Sequence, residues 1–274
     1  MEIKKIIHIA DIHIRTYKML DVYKEVFKTF FKETRVFCKD YEYGEVRIAI
    51  VGDLLHQKIT ISNEQIQIAG WFLKKCAEIA PVVIVAGNHD LLEDNQDRMD
   101  SISPIINLMD NPNIKYYKGR ECYLDSNIVW CNYSIFEHNQ RPDIEASREE
   151  HGPDKTYIGL YHAPIIGSTT DKGYTLKGGA NMEHFEGCDV VLLGDIHKRQ
   201  EFVHKGIKAV YPSSLIQQNY GESIDKHGYL IWNVETLTYT EHDIETSYGF
   251  YQFSIDSLDD LENGKIKLIN KEWA

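Results

Sequence analysis

The chain has 274 residues, 43% of them hydrophobic and 26% charged, with a formal net charge of −12. That length suits one large α/β domain, or one domain with a small appendage, and calls for no second core. No apolar run approaches the roughly 18 residues that cross a bilayer, and the acidic balance argues against non-specific adhesion to nucleic acid, where Lys and Arg supply most of the affinity.

The first residues, MEIKKIIHIAD, lead directly into an apolar β-branched segment and leave no room for a signal peptide, as expected of a cytoplasmic protein. IKKIIHIA is followed by an amphipathic stretch from about Leu20 to Cys38, then VRIAIV, a helix from about Asn63 to Ile79, and PVVIVA. This strand–helix–strand order predicts parallel central strands. From Ile114 onward short strands take over, IKYYK, ECYLD and NIVWCNY, with YIGLY and DVVLL after them. The end of the chain (AVYPSS, GYLIWNVE, LTYTEHDI, GFYQFSID) reads as nearly all β. Two sheets packed face to face with helices outside accommodate both halves. Two polar segments stand out from the core, His138 to Lys155 and Ile166 to Phe185. They are expected as long irregular loops, either contacting substrate or forming plain surface insertions. The five cysteines, Cys38, Cys76, Cys122, Cys131 and Cys188, are widely separated and form no CxxC pair, so they read as reduced packing residues.

Five of the β-branched runs end in residues of metal-ligand type: Asp11 with His13, Gly52-Asp53, Gly87-Asn88-His89-Asp90, His162, and Gly194-Asp195-Ile196-His197. A lone Asp-x-His is usually a turn or cap and a lone Gly-Asp a tight turn. Five such clusters at strand ends, where open α/β sheets build sites, are improbable as separate accidents. The chemistry that needs them is phosphoester hydrolysis, in which two cations about 3.5 to 4 Å apart activate a shared water and neutralise the transition state. Such a pair needs a bridging carboxylate, and Asp53 stands alone at its strand end between the other clusters. Asn88 can offer a neutral carbonyl oxygen, and His89 beside it brings an imidazole to where a leaving oxygen needs a proton. Imidazole, carboxylate and amide oxygen without thiolate suit Mn2+, Mg2+, Fe2+ or Zn2+, with Mn2+ favoured. Two such cations would also offset the acidic balance locally, and basic pairs such as Lys198-Arg199 and Lys74-Lys75 either face a nucleic-acid backbone or are solvated surface.

These clusters resemble the calcineurin-like metallophosphoesterase superfamily, whose pattern is DxH, GDxxx, GNH[DE], a lone His and GHxH. The resemblance spans roughly Ile3 to Tyr229. It implies a four-layer αββα sandwich of two mixed β-sheets flanked by helices, occupying residues 1–257 and followed by an extension over residues 258–274. It further implies that Asp11, His13, Asp53 and His197 hold one metal, that Asp53, Asn88, His162 and Asp195 hold the second, and that His89 is the catalytic histidine. The stretches GDLLHQK, LLGDIHKRQ and YPSSLIQQNYGE are similar to the DNA-repair nuclease branch, that of the nuclease subunit of bacterial SbcCD complexes and its phage recombination-exonuclease relatives. His56 stands where the protein phosphatases, with GDxxDRG, carry a second Asp, and a second imidazole beside His89 suits a nucleic-acid phosphate. At Asp195 the chain departs from GHxH. The carboxylate there either ligates a hard cation or is a turn residue with the second metal lost.

The branch implies a DNA exonuclease or endonuclease of repair or recombination, using a metal-bridged hydroxide, with a coiled-coil ABC-type ATPase subunit or a homodimer as partner and no membrane. The 258–274 extension is too short for the branch's DNA-capping and ATPase-docking regions, as expected of a truncated form or a minimal member. Rival readings are a phosphomonoesterase or small-nucleotide phosphodiesterase of the same fold, and a metal-poor interaction scaffold.

Overall fold

The computed structural model describes residues 1–95, 97–264 and 267–268. The first half builds β1 (Lys5–Ile9), α1 (Leu20–Cys38), β2 (Val46–Val51), α2 (Asn63–Ile79), β3 (Val82–Val85), α3 (Ser103–Met109) and β4 (Ile114–Tyr116). The second builds β5 (Cys122–Asp125), β6 (Ile128–Tyr133), α4 (Ile144–His151), β7 (Thr156–His162), β8 (Val190–Gly194), β9 (Gln200–His204), β10 (Ile207–Tyr211), β11 (Gly228–Asn233) and β12 (Thr238–Asp243). After these come β13 (Phe253–Ser254), α5 (Leu258–Glu262) and β14 (Lys267–Leu268).

Two six-stranded mixed sheets result, ordered β12-β11-β1-β2-β3-β4 and β5-β6-β7-β8-β10-β9. Within them β1 to β4 run parallel, as do β6, β7, β8 and β10, with antiparallel strands at the edges. The strand sequences are unbroken apolar runs because both faces of each sheet are covered. Ile48 and Ile50 of β2 pack toward the helices, while Ala49 and Val51 meet Trp130, Leu160 and Leu192 of the opposite sheet. In α1 the buried residues Tyr23, Val26, Phe27, Phe30, Phe31 and Thr34 recur every three or four positions and form one stripe. Phe27 packs against Phe72 of α2 with ring centroids 4.3 Å apart and planes tilted by 44°. Ser62 opens α2 through a capping box with Gln65, and the Gln65 amide also donates to the Ile14 carbonyl at 2.7 Å, tying the helix start to the loop after β1. The outer face of the second sheet is covered by α4 and the turn at Met182–Phe185, over Tyr133, Tyr157 and Tyr161.

The two long helices begin and end where their periodicity predicts. Two expected segments come out differently, and two elements, α3 and β9, fall where the sequence predicted none. The polar segment from His138 to Lys155 contains α4, which has only Ile144 and Ser147 buried and so carries no apolar stripe. Its Asp143 cap and the bonds from Arg148 to the Gly187 carbonyl hold it in place. Helix α3 is short and starts with Pro104 in its first turn, and β9 is an alternately exposed edge strand. GFYQFSID is not one strand, since only Phe253–Ser254 pairs, with β14. In the 258–274 extension, residues 265, 266 and 269–274 lie outside the described residues. No helix among the described residues is long and apolar enough to cross a membrane, and all five cysteines are free.

Candidate metal centre

The carboxyl ends of β1, β2, β3, β7 and β8 meet at one edge where the two sheets touch. The loops after β1 and β2 run together, with the Asp11 N–H donating to the Gly52 carbonyl at 3.2 Å, the His13 N–H to Asp53 at 2.9 Å and the Ile14 N–H to Leu54 at 3.0 Å. The buried Asp90 carboxylate joins the third loop by accepting N–H bonds from Gly87, Leu55 and Leu54 at 2.9, 3.1 and 3.3 Å. Asp11, His13, Asp53 and Asp195 all adopt the left-handed region, at φ 53°, 49°, 55° and 97°. For a residue with a Cβ this costs about 1–2 kcal/mol, and such strain gathers at functional sites. Three glycines make the space. A Cβ on Gly52 would overlap the His162 ring, one on Gly194 would strike the Val51 carbonyl, and one on Gly87 would strike Asp53 Oδ1 and lie 2.6 Å from His162 Nε2.

Asp53 presents its two oxygens to different partners, Oδ1 lying 3.3 Å from His162 Nε2 and Oδ2 3.4 Å from His13 Nε2. Asp11 Oδ1 lies 3.8 Å from His197 Nε2 and 4.0 Å from His162 Nε2, and both Asp11 oxygens accept the Asp195 N–H, at 3.0 and 3.1 Å. Among the described residues, Asp11, His13 and His197 form one set whose ligand atoms all lie within 4.8 Å of one another; Asp11, Asp53 and His162 form a second, and His13, His56 and His89 a third. Asn88 Oδ1 and His162 Nε2 are buried without a hydrogen-bond partner. Buried polar atoms are rarely left so, and a cation between them and Asp53 would satisfy both. The donor set and the space kept open by Gly87 therefore fit divalent metal.

Two of the imidazoles are oriented from behind. His162 donates from Nδ1 to the Val51 carbonyl at 2.8 Å, which leaves Nε2 to face the centre. His197 Nδ1 bonds Glu222 Oε1 at 2.8 Å. A carboxylate or carbonyl behind a ligating imidazole fixes its tautomer and raises its basicity. Glu222 escaped sequence reasoning as a functional residue, although YPSSLIQQNYGE ends on it. Asp90 was visible as the last residue of its cluster, but its loop-joining role was not.

Burial pushes Asp11 and Asp90 up to about 7, in Asp90 with help from the nearby Asp53 charge, and in Asp11 despite the opposing His162 and His197 imidazoles. Burial would raise Asp53 too, but His162 and His13 outweigh it and hold that carboxyl below its ordinary range. Burial lowers His13. His162 is raised well above the usual imidazole value because Asp53 and Asp11 outweigh its burial. In His197, burial is likewise outweighed, by the Glu222 bond and charge, and the value rises to about 9. The carboxylates thus make the centre attractive to positive charge, whether proton or cation.

His89 bonds the His56 carbonyl through Nδ1 at 2.6 Å, and the His56 and His89 rings stack with centroids 5.2 Å apart and planes 20° apart. Burial and the Arg15 guanidinium, 3.1 Å from its Nε2, lower His56 to about 4. The structure brings all nine expected residues around the centre, Asn88 through its loop and Asp195 through its N–H bonds to Asp11. Asp195 belongs to none of the three sets. Half-buried and raised by burial, it lines a cleft of ≈ 330 Å³ together with His197, Lys198, Asn219 and Thr170–Lys172 from the 166–185 segment.

The model of the calcineurin-like phosphoesterase family matches residues 4–199. Uncharacterized protein R555 of Acanthamoeba polyphaga mimivirus is 36% identical over 255 residues, covering 91% of this chain. The chain spans only 19% of that relative's length. Among solved structures, phosphopantetheinyl hydrolase of Mycobacterium tuberculosis aligns with a TM-score of 0.43 and 12% identity, over 77% of this chain and 89% of its own. A conserved uncharacterized protein of Streptococcus pneumoniae, a predicted phosphoesterase, aligns with a TM-score of 0.31 and 12% identity, over 90% of this chain and 95% of its own.

Proposed function

The chain belongs to the calcineurin-like phosphoesterase family, and we propose that it is a phosphoester hydrolase of that type whose substrate is the phosphodiester of DNA. The observation that carries the proposal is the stacked pair of His56 and His89 beside the ligand sets. His56 adds no negative charge in either protonation state where a phosphodiester must enter. An Asp at the same place would repel that phosphate.

Divalent cations held here, with Mn2+ as the proposed ion, would supply an acidified water and charge neutralisation. Asp11, His13 and His197 are assigned to one, and Asn88, His162 and Asp195 to the other. Asp53 is shared, because its two oxygens face the two groups. His89 carries out proton exchange: its Nδ1 is committed to the His56 carbonyl, so Nε2 is the atom available to a leaving oxygen. His56 supports that ring by stacking. A coiled-coil ATPase subunit or a second copy is the proposed partner, and the cytoplasm the proposed location.

The test compares turnover of bis(p-nitrophenyl) phosphate with that of the monoester in manganese, followed by labelled single-stranded and duplex DNA. Diester and DNA cleavage are expected. Hydrolysis of monoesters alone would move the protein to the phosphomonoesterases, and a purified protein without metal or turnover would make it a scaffold.

A further inference from the structure

Behind His197 lies a second, smaller cavity of ≈ 50 Å³, set between the β8–β9 connection and the turn before β11. A single water needs about 10–15 Å³ of such space, so a group of several oxygen-sized atoms fits. Lys198, Arg199 and Lys226 line it with the hydroxyl-bearing Ser213 and Ser223. The carboxylates of Asp171 and Asp225 also share its wall, as does His227.

Arg199 is the informative member. Its side chain is 7% exposed, its Nε donates to the Pro212 carbonyl at 3.1 Å, and its Nη1 reaches Glu241 at 2.9 Å and Asp243 at 2.8 Å. These bonds fix the plane of the guanidinium, while both carboxylates remain more than half exposed and screened by water. Nη2 is buried with no hydrogen-bond partner, and a charged donor left unpaired is expensive. Ser213 adds a second irregularity. It is buried at φ 83°, and its hydroxyl makes only long bonds, 3.3 Å to the Ser214 carbonyl and 3.4 Å to His227 Nδ1. A strained non-glycine residue and a guanidinium fixed beside one cavity, with Lys198 and Lys226 in the same wall, point to an oxyanion ligand.

We propose that the cavity lined by Lys198, Arg199, Ser213, Ser223 and Lys226 is a phosphate-binding subsite that takes the backbone phosphate next to the scissile one. This rests on the phosphodiester reading above. His197 lines both this cavity and the larger cleft, so a strand whose reacting phosphate lies at the metal ligands passes directly into it. The serines and the two lysines would donate to the non-bridging oxygens, and the fixed Arg199 guanidinium would supply charge. Free inorganic phosphate has the same chemistry and is the other source of the ligand.

The test is binding of fluorescein-labelled oligothymidylate to metal-free protein, followed by anisotropy over a range of salt concentrations, with inorganic phosphate titrated calorimetrically in parallel. Each lysine or arginine contact to a phosphate contributes about one unit to the slope of log Kd against log salt. Lys198→Ala and Arg199→Gln should each lower the slope by about one and weaken binding several-fold. Ser213→Gly should weaken binding while keeping or raising the melting temperature, because glycine relaxes the positive φ; this keeps the test valid if the Arg199 variant folds poorly. Weaker phosphate binding in the variants with unchanged oligothymidylate binding would support the pocket and assign it to free phosphate. Unchanged affinity and slope for both ligands would overturn it, as would a wild type that binds neither. DNA cleavage by a protein whose variants keep the wild-type slope and phosphate affinity overturns the subsite alone. A lowered slope in a protein that hydrolyses only monoesters overturns the diester reading alone.

Discussion

Replacing Glu222 by Gln tests whether the carboxylate behind His197 belongs to the metal centre. Oε1 of Glu222 accepts from His197 Nδ1 at 2.8 Å and from Asn219 Nδ2 at 2.6 Å, while Oε2 accepts the Gln218 N–H at 2.7 Å. Gln keeps the shape and one acceptor, so the bond to His197 can survive without its charge. Its NH2 would then meet the Gln218 N–H donor to donor, leaving a buried group unpaired at about 1–3 kcal/mol. Loss of a carboxylate behind a ligating imidazole costs about 10- to 100-fold in metal affinity, or about 1.4–2.8 kcal/mol. Calorimetric titration of Mn2+ into metal-stripped wild type and variant reads the second quantity, and thermal unfolding of the metal-free proteins reads the first. The pH dependence separates charge from shape. Burial pushes His197 down, but Glu222 lifts it to about 9 from an unfolded value of 6.5, so the pair's stabilisation is complete below about pH 6.5 and is lost as pH rises through about 9. On the acid side it persists until Glu222 is protonated, and His197 holds that carboxyl below its ordinary range against the effect of burial. The melting temperatures of wild type and variant should therefore differ most near neutrality or just below, and above pH 9 the difference should shrink to what the unpaired Gln218 N–H leaves. Equal Mn2+ affinities and parallel pH curves would refute the reasoning and reduce Glu222 to a turn residue.

Asp53→Asn should abolish hydrolysis and leave the fold intact, because the shared ligand loses its charge; near-normal turnover of bis(p-nitrophenyl) phosphate would sink the two-metal model. His89→Leu should retain its metal by elemental analysis and lose about 10²-fold or more in turnover, the scale of a general acid, whereas loss of metal would make His89 a ligand. Asp195→Ala should lose one equivalent of metal and keep the other, while Asp195→His should retain activity and tolerate zinc better. Two full equivalents with unchanged kinetics in the Ala variant would make that position a turn. Gly87→Ala should fold but bind metal poorly, since the new methyl strikes Asp53 Oδ1 and lies 2.6 Å from His162 Nε2; overpacking of this kind costs about 1–3 kcal/mol, and wild-type metal content in the variant would show that the loops can shift.

The parts of this protein legible in the sequence are those written in local patterns. The apolar stripe of α1 and the Ser62–Gln65 capping box of α2 need no distant partner to be read, and the β-branched runs place Asp11, Asp53, Asn88, His162 and His197 at strand ends. Helix α4 was not legible, because a cap at Asp143 and bonds to the distant Gly187 hold it rather than an apolar face. Nor could spacing along the chain show that Asp53 divides its oxygens between His162 and His13, that Glu222 stands behind His197, or that Gly52, Gly87 and Gly194 clear the space around His162. Asp53 meets His162, and Gly52 and Gly87 clear its ring, across the carboxyl ends of strands from two different sheets, while Glu222 reaches His197 from the connection between β10 and β11. Sequence determines which strands carry ligands, because side-chain alternation and turn chemistry are local. Which ligand atoms meet is decided only when the apolar faces of the two sheets are buried against each other and bring those strand ends to one edge.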